Sequence, residues 1–327
     1  MTRAFFIAGP TATGKSDLAA DLACELGAEV VSADAFQIYR GLDLLSAKPD
    51  AATLAKAPHH LIGTIPLSEE MNAEKFRRAA TRAIDEINSR GKLAIVVGGS
   101  GLYIKALTHG LAPLPSADPN LREKLNAMSL DALRSQLAEL DPEVARKIDI
   151  NNRRRVIRAL EICLLTGDPA SAKRQQWGAH ASSVQCSASC RTQTRRQDAG
   201  ASTQDACARH GFFVFRDREE LYKRINQRVE GMFKCGVIEE VRAAAATSAT
   251  ASQMIGLREI RELLAGKMSL PQCVADIQQS TRRYAKRQLT WFRRQTNFSP
   301  LNLSFLTHNE AVKRISLRML SEAGTKG

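Results

Sequence analysis

Long apolar runs are missing from this chain. Nothing in its 327 residues approaches the roughly 20 consecutive apolar residues of a membrane span. The first apolar stretch, Ala4 to Ala8, is also too short for a secretion-signal core. These absences exclude a helical membrane protein and predict a cytoplasmic one with no membrane partner. A disulfide framework is missing as well, since seven cysteines, an odd number, lie scattered along the chain. No internal repeat is present. Acid is in short supply: 34 Asp and Glu stand against 47 Lys and Arg, a formal charge of +13 with a pI of about 9.7. That imbalance favours a polyanionic partner, nucleic acid ahead of an acidic membrane surface. The competing account is charge that serves solubility alone. Hydrophobic residues make up 44%, enough for one large α/β domain or a core with an inserted lobe.

Against these absences stands Gly9-Pro10-Thr11-Ala12-Thr13-Gly14-Lys15-Ser16, which fits the phosphate-cradling pattern G-x-x-x-x-G-K-[ST]. The context agrees. Ala4 to Ala8 reads as a buried strand, and Asp17 to Leu26 as a helix with Leu18, Leu22 and Leu26 on one face. Glycines let backbone N–H groups approach phosphate oxygens, and the positive helix end adds to the field. Lys15 supplies a mobile charge, and the Ser16 hydroxyl can ligate Mg²⁺.

The first half alternates strands and helices: Glu29 to Ser32, then a helix over Ala73 to Asn88, then a strand over Leu93 to Val97. This rhythm predicts a P-loop-type parallel sheet with helices on both faces. Ligands gather at the carboxyl ends of such strands, so the P-loop, Asp34 and Ser100 can share one crevice. Asp34 can accept a proton, orient a nucleophile or hold Mg²⁺ through water; a plain turn cap accounts for it equally well. The strand at 93–97 ends in Gly98-Gly99-Ser100-Gly101, with no acidic residue of the kind a motor ATPase carries there. The glycines allow a ligand close to the backbone, or else simply a tight turn.

Asp118 to Thr166 is helical in pattern, with Leu121, Leu125, Leu130, Leu133, Leu137 and Leu140 as candidate apolar positions. Arg153-Arg154-Arg155 with Arg158 opens a helix over Asn152 to Leu165. Cations there oppose the helix dipole, a cost that a phosphate backbone would offset; a solvated charged face is the alternative. Residues 179–210 are rich in Ser, Ala, Gln, Thr and Arg and read as irregular. Cys186, Cys190, Cys207 and His210 have near-zinc spacing, but that compositional bias argues against a designed site. A strand over 211–215 and helices over 219–234, 238–246 and 269–294 follow. The last carries basic residues interleaved with aromatics from Arg282 to Arg294, a pattern suited to RNA, with Trp291 read as core packing. After Phe298 no signal is visible. The expected organisation is therefore a P-loop core (1–115), a helical insertion lobe (116–178), the irregular segment (179–210), a return to the core with basic helices (211–298) and a tail (299–327).

Taken in order, these landmarks resemble the tRNA dimethylallyltransferases. The resemblance rests on residues 9–16, on Ser32-Ala33-Asp34-Ala35-Phe36-Gln37-Ile38-Tyr39-Arg40-Gly41, on Pro58-His59-His60-Leu61 and on Gly98 to Tyr103. It continues through Asp118-Pro119 with Arg122, Arg155 to Glu161, Asp217 to Leu221 and Arg283 to Trp291. It implies transfer of a dimethylallyl group from its diphosphate to N6 of the adenosine beside the tRNA anticodon, with Mg²⁺ as cofactor, tRNA and dimethylallyl diphosphate as partners and a monomer as the working form. By this resemblance Asp34 orients the amine and takes its proton, while Lys15, Ser16 and the loop from Gly9 to Gly14 hold diphosphate. Ser100 donates to the diphosphate and Arg218 adds a positive contact. The tRNA contacts would fall on Asp34, Ala35, Phe36, Gln37, Ser100, Arg122, Arg154, Arg155, Val156, Ile157 and Arg158, and on Met254, Ile255, Gly256, Leu257 and Arg258. The chain departs from many relatives with Ser100 in place of Thr, with Ala35-Phe36-Gln37 after the aspartate, and with Leu257 in place of Tyr. A P-loop small-molecule kinase using ATP is the competing enzyme, and a non-catalytic nucleic-acid-binding module the competing non-enzyme.

Overall fold

The computed structural model describes residues 4–111, 114–172 and 211–324, with side chains to 319. The described residues form two compact units. One comprises those up to Thr108 and from Gly211 onward; the other begins at His109 and runs through 172. The segment read as irregular, 179–210, and its cysteine-histidine set lie outside the described residues.

The first unit is built on a six-stranded sheet of β1 (Ala4–Ala8), β2 (Glu29–Ser32), β3 (His59–His60), β4 (Ala94–Gly98), β5 (Gly211–Phe215) and β6 (Ser299–Asn302), in the spatial order β3-β2-β4-β1-β5-β6. Every pairing is parallel. Successive side chains of a strand point to opposite faces, and the two cores follow that alternation. Phe6, Ala8, Val31, Ala33, Val96 and Phe213 belong to one. Phe5, Ile7, Val30, Ile95, Val97 and Val214 belong to the other. Strands covered on both faces need apolar residues at every position, which is why Ala4–Ala8 and Ala94–Gly98 read as continuous apolar runs. Helix α1 (Lys15–Leu26) covers the second face through Leu18, Leu22 and Ala23. It starts at Gly14 and ends at Gly27, both left-handed, a conformation glycine adopts without steric cost. Helix α2 (Ala51–Leu54) is one short turn capped by Asp50. Helix α3 (Ala73–Ser89) starts at Asn72, whose side chain accepts from Lys75 N, and packs Phe76, Ala80, Ile84 and Ile87 on the first face. Helix α4 (Gly101–His109) follows β4.

The second unit holds α5 (Pro119–Ala127), α6 (Leu130–Leu140), α7 (Pro142–Lys147) and α8 (Arg153–Thr166) around a core of their own. Leu125, Leu133 and Leu137 are buried as the spacing predicts, whereas Leu140 is exposed and Leu121 and Leu130 are only half-buried. Beyond the second unit in sequence come α9 (Arg218–Lys234), α10 (Val237–Arg242), α11 (Leu257–Leu264), α12 (Leu270–Phe292) and α13 (His308–Gly324). The segment beyond residue 298 is not a featureless tail. Its Ser299–Asn302 extends the sheet beside β5, and Leu301, Leu303, Ala311, Ile315 and Met319 complete the second core. Four residues including Pro300 give no strand periodicity, and proline is tolerated here because β6 is an edge strand.

Candidate functional site

The loops after β1, β2 and β4 meet at one end of the sheet. In the P-loop, Ala12 has φ 65° and Gly14 φ 88°, so the chain curls twice through the left-handed region and brings its N–H groups round toward a common centre. Lys15 Nζ lies 3.2 Å from Pro10 O and Thr13 Oγ1 donates to the same carbonyl at 3.0 Å. Lys15, Ser16, Asp34, Arg224 and Arg228 line one cleft of about 490 Å³. Asp34 also lines an adjoining cavity of mixed character, with Phe36, Met232, Met254 and Ile255 on its apolar side and Arg228 and Tyr284 among its polar groups.

Asp34 Oδ1 accepts from the N–H groups of Phe36 (2.9 Å) and Gln37 (3.3 Å). It is thus a turn cap through one oxygen, while Oδ2 makes neither bond; capping and chemistry are compatible in this carboxylate. The buried Ser100 accepts from Ala35 N–H through Oγ at 2.9 Å, which locks the turn after β4 onto the Asp34 loop. The glycines around Ser100 are required by close packing within the protein. A Cβ at Gly98 would sit 2.2 Å from Ala33 O, and one at Gly101 would meet the Trp291 ring at 2.6 Å. Trp291 accordingly packs against the core.

The cations around the P-loop come mainly from α9. Arg224 Nε donates to Ala12 O (2.8 Å) and Arg228 to Thr11 Oγ1 (2.7 Å); Arg216, just before the helix, donates to Thr13 O (2.9 Å). Arg228 Nε is buried without a partner. Desolvation lowers the Lys15 ammonium to about 8, with the Asp34 charge pulling the other way and the Arg228 charge reinforcing the drop. Desolvation likewise lowers Arg228 to about 10, again opposed by Asp34 and aided by Arg224. Burial and mutual repulsion both act against the charged forms here, and a bound anion would relieve both.

Arg218 is placed differently from the sequence expectation. It is exposed, its guanidinium lies 5.3 Å from the Tyr222 ring centroid, and it does not line the cleft. As the first residue of α9 it precedes the turns that face the P-loop. Arg224 and Arg228, four apart beside the buried Leu221, Ile225 and Val229, take that place. The signal for them was an Arg-x-x-x-Arg pair flanking an apolar stripe. Gln288 is a third residue given no role by sequence: it is buried on α12, with Oε1 accepting from Thr11 N–H and Nε2 donating to Gly99 O.

Several expected RNA contacts are interior. Val156 and Ile157 are buried in the second unit, because the helix that exposes Arg154 and Arg155 must bury its opposite face. Met254 and Leu257 are buried, and Gly256 is enclosed. Arg122 makes a bidentate pair with Glu161 (2.7 and 2.8 Å), and Arg158 joins the same carboxylate at 3.1 Å. Exposed cations remain at Arg154 and Arg155 beside Lys147 in the second unit, and at Arg258, Arg283 and Arg287 in the first.

The donor set suits a magnesium ion held chiefly by diphosphate oxygens and water, since Mg²⁺ sites use few protein ligands. The Ser16 hydroxyl and Asp17 line the cleft. No group of three or more His, Cys, Asp or Glu able to hold an ion occurs among the described residues.

A family model described as IPP transferase matches residues 37–295. The chain is 44% identical over 295 residues to tRNA dimethylallyltransferase 1 of Citrifermentans bemidjiense, 89% of each chain. It is 38% identical over 319 residues to the tRNA dimethylallyltransferase of Akkermansia muciniphila, 98% of this chain and 99% of the relative. Among solved structures, the full-length tRNA isopentenylpyrophosphate transferase of Bacillus halodurans matches with a TM-score of 0.67 at 32% identity, covering 100% of this chain and 98% of the other.

Proposed function

The chain belongs to the IPP transferase family, and from that premise we propose that it transfers a dimethylallyl group from dimethylallyl diphosphate to N6 of the adenosine 3′ to a tRNA anticodon. One observation carries this reading: a carboxylate, Asp34, and the cations Lys15, Arg224 and Arg228 line the same cleft. An acceptor amine and a diphosphate leaving group need that pairing. ATP-dependent phosphorylation of a small alcohol would explain the loop equally, but not the exposed basic residues of α8, α11 and α12.

In this mechanism the N6 lone pair attacks the allylic carbon. The bond from that carbon to the diphosphate oxygen breaks, and the electron pair leaves with diphosphate. An exocyclic adenine amine is a weak nucleophile, so holding it in line with the leaving group supplies much of the acceleration. Asp34 orients the amine and receives its proton. Lys15, Arg224, Arg228 and the P-loop N–H groups meet the charge growing on diphosphate. Ser16 and Asp17 would hold Mg²⁺, which when bound screens the same charge. The cavity of Met232, Met254 and Ile255 offers the allyl tail an apolar bed. The target base leaves its stack to enter; Arg154, Arg155, Arg258, Arg283 and Arg287 are the phosphate contacts of this reading, with a cytoplasmic monomer as its working form. No helix among the described residues is long and apolar enough to cross a membrane.

The test is incubation with unmodified tRNA, Mg²⁺ and dimethylallyl diphosphate, followed by nucleoside mass spectrometry. Isopentenyl adenosine should form, and its rate should fall about 10³-fold in Asp34→Ala. A folded protein that makes none across a whole tRNA pool overturns the reading.

A further inference from the structure

Acceptor and leaving group are held by different strands. In the reading above, which this inference rests on, the amine sits at the Asp34 loop after β2 and the diphosphate at the P-loop after β1. Between those strands lies β4. The distance between the reacting atoms therefore depends on what spans the loops beyond the sheet. On one side the span is Ser100, whose Oγ accepts from Ala35 N–H at 2.9 Å. On the other, beyond the backbone bond from Gly9 N–H to Gly98 O (3.1 Å), it is Gln288, whose carboxamide bridges Thr11 N–H (2.9 Å) and Gly99 O (2.8 Å).

This bridge is specified rather than incidental. One end must accept and the other must donate, so only one orientation of the amide satisfies both partners. Gln288 is 6% exposed, a position where an unpaired amide is costly. Gly99 is shaped around it, since a Cβ there would lie 2.3 Å from Gln288 Nε2. One turn earlier on α12, Tyr284 lines the cavity that Asp34 and Thr11 share. Helix α12 thus touches the loops after β1 and β4 through Gln288, while Arg283, Lys286 and Arg287 are exposed along the same helix.

We propose that Gln288 is a positioning residue for the transfer step, its carboxamide setting the separation between the phosphate loop and the Ser100–Asp34 loops, and so between leaving group and acceptor. It touches neither substrate. Misplacement of reacting groups by about 1 Å can cost about 10²-fold in rate, and that loss should fall on kcat with tRNA affinity unchanged.

Two variants test this in the full chain. Gln288→Met keeps length and removes both hydrogen bonds; kcat per folded molecule should fall about 30- to 100-fold, with the tRNA Kd within about twofold by filter binding. Gln288→Glu distinguishes positioning from packing. As the neutral acid it can accept from Thr11 and donate to Gly99; ionised, it sets a carboxylate oxygen against the Gly99 carbonyl. A buried carboxyl is displaced upward, and the neighbouring Tyr284 phenol, raised by burial, stays neutral throughout. Divided by wild type at each pH, the activity of Gln288→Glu should rise at least tenfold between pH 8.5 and pH 6. Circular dichroism and thermal melting report the folded fraction. A flat ratio, wild-type kcat in both variants, or a loss that merely follows the folded fraction would overturn the proposal. If wild type itself makes no isopentenyl adenosine, the functional reading fails instead.

Discussion

Two groups of arginines in this chain meet opposite fates. On α9, Arg224 and Arg228 donate to a backbone carbonyl and a threonine hydroxyl of the P-loop, and burial lowers both. In the second unit, Arg122 and Arg158 close on Glu161, a carboxylate with no exposed surface. The family resemblance points to Arg122 and Arg158 as tRNA contacts, while no short motif marks Arg224 and Arg228. The difference is the partner. Arg122 and Arg158 share one buried carboxylate that offsets part of their charge; Arg224 and Arg228 are gathered around the P-loop with no carboxylate among the described residues hydrogen-bonded to either.

The comparison can be broken from either side. The largest effect is expected from Arg228→Met, which should lower kcat/KM for dimethylallyl diphosphate about 10²- to 10³-fold with little change in melting temperature. A variant that melts early but turns over normally would make Arg228 structural. Next comes Glu161→Ala, which strands two arginines and should destabilise the second unit by about 3 kcal/mol, seen as faster hydrogen exchange in α8. Unchanged protection there would remove the structural half of the contrast.

The third effect is on pH. Lys15 has a folded value near 8, below its ordinary 10.5, and its charged form is the one that meets diphosphate. kcat/KM for the donor should therefore hold below about pH 7 and fall as pH rises through 8, up to tenfold per unit; in Lys15→Arg that fall should disappear. The smallest effect belongs to the exposed pair. Arg154→Ala and Arg155→Ala should each weaken tRNA binding several-fold and reduce the salt slope by about 1. Arg122→Ala should leave the slope unchanged if its charge is already met by Glu161.

What was legible in the sequence was what is encoded locally. The P-loop, Asp34 and Ser100 sit in short motifs at strand ends, and the parallel-strand rule brings such ends together. Short continuous apolar runs, such as Ala4–Ala8 and Ala94–Gly98, mark the central strands of the sheet. Residues acting across the fold were not legible. Arg228 reaches Thr11 from 217 positions away and Gln288 from 277. Their clue was subtle: a glutamine on the buried stripe of Thr281, Ala285 and Phe292, where a polar side chain must find partners. The edge strand β6 failed for a different reason. It is held by β5, not by its own pattern. The glycines after β4 allow a close ligand or a tight turn by sequence; which groups crowd them, Ala33 at Gly98 and Trp291 at Gly101, is set across the fold.

The order in which these parts are made carries a consequence for biosynthesis. The P-loop leaves the ribosome well before its partners: the neighbouring β5 begins at Gly211, and the carboxamide that bonds Thr11 arrives with Gln288. For most of translation the nascent chain carries a phosphate-binding motif whose surrounding cations and brace do not yet exist. Contacts so distant in sequence form slowly. A ribosome stalled before α12 would therefore release a chain with the motif intact and the enzyme absent.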